Sequence, residues 1–152
     1  MKNLGDPEDK LLILERVAKV RIDSARAWGK MSAPQMICHL NDSFRLTTGE
    51  KQASSVENFF KRTVMKWSAL SLPIPWPHGL GTMPEMDQLG GGTPPVEFEA
   101  DRQELISRTE LFVSKPESLV AVRHPFFGNM SVYEWMRWGY LHVDHHLRQF
   151  GV

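Results

Sequence analysis

A serine followed three residues later by glutamate or glutamine recurs at Ser32/Gln35, Ser54/Glu57 and Ser131/Glu134. Each is the signature of a helix start: the serine hydroxyl takes the N–H three residues on, and the longer side chain reaches back to the serine N–H. Asp6-Pro7-Glu8-Asp9 announces a further start, with Asp6 as the cap, proline in the first turn and acids against the positive end of the helix dipole. A chain cut into helices by four such signals, with no run of alternating strand residues between them, has few folds open to it. The spacing predicts an all-α domain.

Behind each start the apolar residues recur at helical intervals. Leu11, Leu14, Val17 and Ala18 form a stripe that runs to about Val20. Trp28, in the connection after it, is expected to plug the end of the core. The second helix runs from Ala33 to about Thr48, stopped by Gly49. A third, Val56–Ser71, turns Val56, Phe60, Val64, Trp67 and Leu70 to one side. A fourth opens at Thr93-Pro94 and continues to Ser114, with Phe98, Leu105, Thr109 and Phe112 on one face. The last spans Ser131 to Gly151. Four main helices around one core, a four-helix bundle, is the architecture these segments suggest. Leu119–Val122 is apolar enough for a strand but has no partner, and is expected to be an extended connector. Leu72–Pro95, rich in proline and glycine, forms a long insertion between the third and fourth helices. A connection of this length either wraps the domain or covers a site.

At 152 residues the chain is one domain, with 18 basic and 18 acidic side chains in balance. A neutral chain without a basic stripe excludes a nucleic-acid surface, and no apolar run is long enough to span a membrane. A single cysteine, Cys38, allows neither an internal disulfide nor a site of several thiolates. The polar start has no secretory signature, and the expected location is the cytoplasm.

Chemistry concentrates in the last helix. Val132, Trp135, Met136, Gly139, Val143 and Phe150 share one side, Arg137, Asp144 and Arg148 the other. His142 and His146 lie inside the apolar arc, and His145 sits at its border. Imidazoles four residues apart on a helix can close on one ion, but two ligands do not hold a metal alone. His39 on the second helix points inward or along the core margin. If the two helices run antiparallel, all three rings meet at one end of the domain; a parallel pair would separate them.

The segments WGKMSAPQMICHL (Trp28–Leu40), KWSALSLPIPWP (Lys66–Pro77), HPFFG (His124–Gly128) and LHVDHHLRQFG (Leu141–Gly151) together resemble the DinB-like superfamily, and within it a branch of unknown function. The resemblance implies a four-helix bundle in which one histidine of the second helix and two of the last bind a divalent ion, zinc or nickel. Transferred by position, these are His39, His142 and His146. Dimers are common among such proteins, and relatives include thiol S-transferases. The chain departs from the pattern at Leu147-Arg148, where many relatives have Arg-Gly, which places in doubt any substrate contact made there.

Around the triad, Gln149 shares the His142 face, suited either to a hydrogen bond onto a ligand histidine or to helix-end packing. Asp42 lies one turn past His39, where it could orient that ring or act as a base; a solvated helix flank is the simpler expectation. Ser43 is nearer the site direction but can serve as a small packing residue, and His145 reads as a solvent-side residue or a support to the ligands. Asp144 is expected to be a surface charge, Cys38 a semi-buried structural thiol, His78 a surface residue of the long loop, and His124 a turn residue. No catalytic base is identifiable.

Two functions are therefore expected. The first is a metal-dependent enzyme acting on a small molecule by hydrolysis or thiol transfer. The second is a helical domain that binds a partner or ligand without chemistry, its metal structural or absent.

Overall fold

The computed structural model describes all residues, Met1–Val152. It is mostly helical: α1 (Pro7–Lys19), α2 (Ala33–Thr47), α3 (Lys66–Ser71), α4 (Phe98–Ser114) and α5 (Val132–Gln149). A π-helical stretch, Lys61–Met65, leads into α3, and short 3₁₀ turns lie at Pro84–Met86 and Pro116–Ala121. The one sheet is a two-stranded antiparallel ribbon, β1 (Arg123–His124) with β2 (Gly128–Asn129).

The capping chemistry sets three helix starts as expected. Asp6 accepts from Glu8 and Asp9, and both boxes at Ser32/Gln35 and Ser131/Glu134 close reciprocally. Gly49 and Gly151 follow α2 and α5 with positive φ, the usual helix stop.

The core runs through Ile13, Val17, Met36, Leu40, Phe44, Leu105, Phe112, Trp135, Val143 and Leu147. α2 packs chiefly on α4, and α1 on α5 and α4. α2 and α5 meet through long side chains: the Phe44 ring lies 6.5 Å from Trp138, and the His39 ring 5.2 Å from His142. Advancing from 39 to 44 on α2 thus means retreating from 142 to 138 on α5, so the two helices run antiparallel.

Several expectations are corrected. In α1 the buried seam is Ile13 and Val17, while Leu11 is 57% exposed, because Leu11 lies nearly opposite Ile13 on the helix. The Ser54/Glu57 box does not form. Glu57 is taken by Arg123 and Ser54 by Glu85, and it is Asn58 that accepts from the Lys61 N–H, at 2.9 Å, where the π-helical stretch begins. The apolar stripe of that helix largely faces solvent: only Leu70 is buried, and Trp67 is 60% exposed. α4 starts at Phe98, capped by Glu97, rather than at Thr93, whose donors are bound to Asp42. Its buried face is Phe98, Leu105, Thr109 and Phe112, as the spacing predicts. The 119–122 connector coils into a 3₁₀ turn. Arg137 is buried, not outward, because its guanidinium caps the carbonyls of Leu70, Lys2 and Leu72.

The segment 72–95 is compact around its 3₁₀ turn. Gly90 and Gly92 both donate to the Asp87 carbonyl at 2.8 Å, and Gly91 to Pro84 at 3.0 Å. A Cβ on Gly92 would come within 2.8 Å of the Asp87 carbonyl carbon, so the backbone closes this tightly only with glycine there. The turn presents Met86, which is buried, against α2.

Candidate metal centre

The antiparallel arrangement brings His39 of α2 against both His142 and His146 of α5, the three rings forming a triangle 4.7–5.2 Å on a side. One ring nitrogen from each lies within 4.8 Å of the others, and His39 Nε2 is 3.2 Å from His142 Nε2. His39 and His146 are buried, and His142 is partly so.

Two of the rings are oriented by partners that fix which nitrogen faces the centre. His39 Nδ1 donates to the Met86 carbonyl at 2.8 Å, which leaves Nε2 with a free lone pair. His146 Nδ1 pairs with Gln149 Oε1 at 3.0 Å, while the Gln149 amide donates to the Trp28 carbonyl at 2.7 Å. Because the amide end of Gln149 is committed to a carbonyl, its oxygen must face His146, and His146 must donate. Hydrogen bonds of this kind hold ligand imidazoles in metal sites. Burial pushes the pKa of all three rings below the ordinary histidine value, well below it for His142 and His146, where neighbouring imidazoles add to the effect. The rings are neutral at pH 7, with lone pairs available to a cation.

Aromatic side chains enclose the cluster. Trp138 lies 5.1 Å from His142, and Trp76, from the long segment, lies 6.1 Å from the same ring. Trp28, half-buried at the Gln149 end of α5, stacks on His78 at 3.8 Å. His78 is thus an exposed loop residue that covers an aromatic neighbour of the centre. Trp135 is wholly in the core.

The other expected residues fall differently. Asp42 is fully buried and points away from the triad: it accepts from Gln88 (2.9 Å), from the Thr93 N–H (2.8 Å) and hydroxyl (2.7 Å), and pairs with Arg45 and Lys51, both at 2.9 Å. Burial raises its pKa, but these donors outweigh it and hold the carboxyl below its ordinary value. It is neither a solvated flank nor a base; it ties the long segment to α2. Ser43 bonds back to the His39 carbonyl at 2.9 Å, a contact internal to the helix. His145 is buried rather than solvent-side, because Trp28 and Trp76 lie 6.1 and 6.2 Å from its ring. Asp144 is shared between Arg16 (2.7 Å) and Arg148 (2.9 Å). Cys38 is buried with Sγ 3.5 Å from Asp101.

Sequence reasoning missed two supports of the site, the carbonyls of Met86 and Trp28. Backbone groups carry no residue signature. Only Gly29 hints at the second: its φ is +82°, and a Cβ there would collide with the Gln149 amide.

Fold and site together define a mostly helical protein with a largely buried cluster of three histidines, two of them oriented by hydrogen bonds. The chain belongs to the family described as Protein of unknown function (DUF1569), whose model matches residues 7–151. No curated protein and no solved structure matches it.

Proposed function

We propose that the protein is a metal-dependent enzyme of the DinB-like superfamily, a four-helix bundle with an insertion at 72–95, in which His39, His142 and His146 hold a divalent ion, zinc or nickel. The observation that carries this reading is the convergence of three neutral ring nitrogens, two of them aimed by hydrogen bonds at Nδ1. The donor set suits the ion. Metal–nitrogen bonds of 2.0–2.1 Å at tetrahedral angles separate two nitrogens by about 3.3 Å, against 3.2 Å between His39 and His142.

Three protein ligands leave a coordination position open, the arrangement of a catalytic rather than a structural site. The ion would supply Lewis acidity there, activating water for hydrolysis or a thiol for transfer. The chain itself contributes the orientation of the ligands, through the Met86 carbonyl and Gln149, and the exclusion of water, through Trp76, Trp138 and Met86. The substrate is a small molecule, the location the cytoplasm, and a homodimer is compatible with the exposed apolar face of residues 60–67.

A second reading, a structural ion in a non-catalytic domain, is favoured by the burial of His39 and His146. Elemental analysis of purified protein tests the metal: one ion per chain is expected, lost in both His39→Ala and His142→Ala. A protein that carries no stoichiometric ion, and takes up none on titration, ends the proposal. Cobalt substitution separates the two readings, since only an open position lets added azide shift the visible spectrum.

A further inference from the structure

The exposed aromatic side chains are not scattered over the surface. Phe59, Phe60 and Trp67, at 75%, 55% and 60%, are the only exposed phenylalanines and tryptophan, and Val64 and Met65 stand exposed among them. All five lie on the π-helical stretch or within two residues of it. Side chains three and four apart are neighbours on a helix surface, so Phe59, Thr63 and Trp67 follow one line, with Phe60 and Val64 beside it. Ile74, in the long segment that follows, is exposed as well. The face is held from behind by the fold. Leu70 is buried, Lys66 reaches Glu134 at 2.9 Å and the Asn129 carbonyl at 3.2 Å, and Lys61 bonds the Val56 carbonyl at 2.7 Å. A contiguous apolar patch kept in water this way marks an interaction surface.

What covers the patch follows from its charge. From Asn58 to Pro84 the chain holds Lys61, Arg62 and Lys66 and no acid. Of the carboxylates packed behind the face, Glu134 is paired with Lys66 and Glu57 with Arg123, while Lys61 and Arg62 have no carboxylate partner. Arg62, Thr63, Lys66, Arg123 and Asn129 line a cleft of about 270 Å³ between the helix and the β1–β2 ribbon, with Phe59 at its side. Aromatic and aliphatic side chains edged by lysine and arginine are the composition of a helix that lies in the headgroup layer of a bilayer. A second copy is the other occupant that such a face admits. Two-fold pairing lays the patch against itself, which gathers Lys61 and Arg62 of both copies into one contact with no free carboxylate to answer them.

From this we infer that residues 59–67, with the cleft beside Arg62, form a surface that docks on anionic lipid. Phe59, Phe60 and Trp67 enter the boundary between headgroups and acyl chains, and Lys61 and Arg62 meet the lipid phosphates. The protein lies on the bilayer in this assignment, and no helix is long and apolar enough to cross one. Docking does not depend on whether the triad carries an ion.

Vesicle co-sedimentation of the full-length protein tests this, with phosphatidylcholine vesicles set against vesicles of phosphatidylcholine and phosphatidylglycerol. Partition onto the anionic vesicles is expected to be about tenfold the stronger at low salt, and to fall as added salt screens the lipid charge. Phe59→Ser combined with Trp67→Ser removes apolar surface without opening the core, and should abolish binding to both vesicles. Arg62→Gln should weaken binding about fivefold on the anionic vesicles alone. Leu11→Ser, at an exposed apolar residue of α1, should change neither. No binding by the unaltered protein, equal partition onto the two vesicles, or binding that survives the double substitution overturns the docking surface. So does a protein that sediments as a pair without lipid and becomes single in Trp67→Ser, which assigns the face to a second copy.

Discussion

Gln149 links His146 to Trp28: its oxygen accepts from His146 Nδ1 at 3.0 Å, and its amide donates to the Trp28 carbonyl at 2.7 Å. One side chain thereby sets the tautomer of a candidate ligand and ties the 21–31 connection to the end of α5. Ala27, whose N–H donates to the Gln149 carbonyl at 2.8 Å, adds a backbone tie between the same two segments.

Removing that link should weaken metal binding without removing a ligand. Gln149→Leu is expected to lower cobalt or zinc affinity by about 10–100-fold, the usual effect of losing a ligand's hydrogen-bonded support. Gly29→Ala should act in the same direction from a distance, because its Cβ would occupy the position of the Gln149 amide and its φ of +82° disfavours a side chain. Competition against a chelator of known affinity measures both. Wild-type affinity in Gln149→Leu would show that the glutamine only packs.

Asp42 fastens the long segment, so its loss should loosen that segment before the rest of the domain. Asp42→Ala removes an acceptor for Gln88 and Thr93 and leaves Arg45 and Lys51 without this partner. Both cations are partly solvated, and Arg45 keeps Glu104 at 2.6 Å. The cost is therefore set below that of a fully buried broken pair, at about 2–3 kcal/mol. Limited proteolysis should cut Asp42→Ala within residues 77–84 at protease levels that spare the parent protein. Equal resistance would place the fastening elsewhere.

What the sequence made legible follows the range of the interactions involved. Caps are local, and the Asp6, Ser32 and Ser131 starts could be read from four-residue patterns. The α4 face and the inward phase of His39, His142 and His146 are local as well, since helical periodicity fixes both. Asp42 was not legible as a buried anchor, because its partners Gln88 and Thr93 lie some fifty residues away. The Ser54/Glu57 pattern failed for a related reason: Arg123 and Glu85, remote in sequence, offer charged or shorter contacts that outcompete the local box. The Val56–Leu70 stripe was legible as apolar but its exposure was not, because amphipathic spacing reports that a face is apolar, not what covers it. His145 was misplaced at the border of the α5 arc, where burial depends on Trp28 and Trp76 arriving from other segments.

Cys38 gives a test of how tightly the α2–α4 interface is closed. Burial, with Asp101 beside it, pushes its thiol up to about 12. At pH 8 the thiolate, the reactive form, is then scarce. The folded protein is expected to resist iodoacetamide at this pH, and to take up one equivalent once denatured. Rapid labelling of the native protein would mean that α2 and α4 separate readily.

His124 carries a pH dependence separable from that of the metal centre. It is buried against Phe127, Trp135 and Trp138, at ring distances of 4.8, 5.4 and 5.2 Å, and its Nδ1 accepts from the Phe126 and Phe127 N–H groups. Burial lowers its pKa to about 3 from an ordinary value of 6.5. Between those two values the unfolded chain binds a proton that the folded chain refuses, so stability is fully present above pH 6.5 and drains as the pH falls toward 3. From pH 6 to pH 4 the loss from this residue alone is about 2–3 kcal/mol. The triad histidines titrate in the same sense, so a single pH profile cannot apportion the effect. His124→Asn can, because an asparagine oxygen is able to accept the same two backbone N–H groups while carrying no proton to lose. Urea denaturation across this range should give the variant a flatter dependence of unfolding free energy on pH by that amount. Parallel profiles for the two proteins would mean that His124 accepts its proton while still folded, with the turn opening to let water reach it.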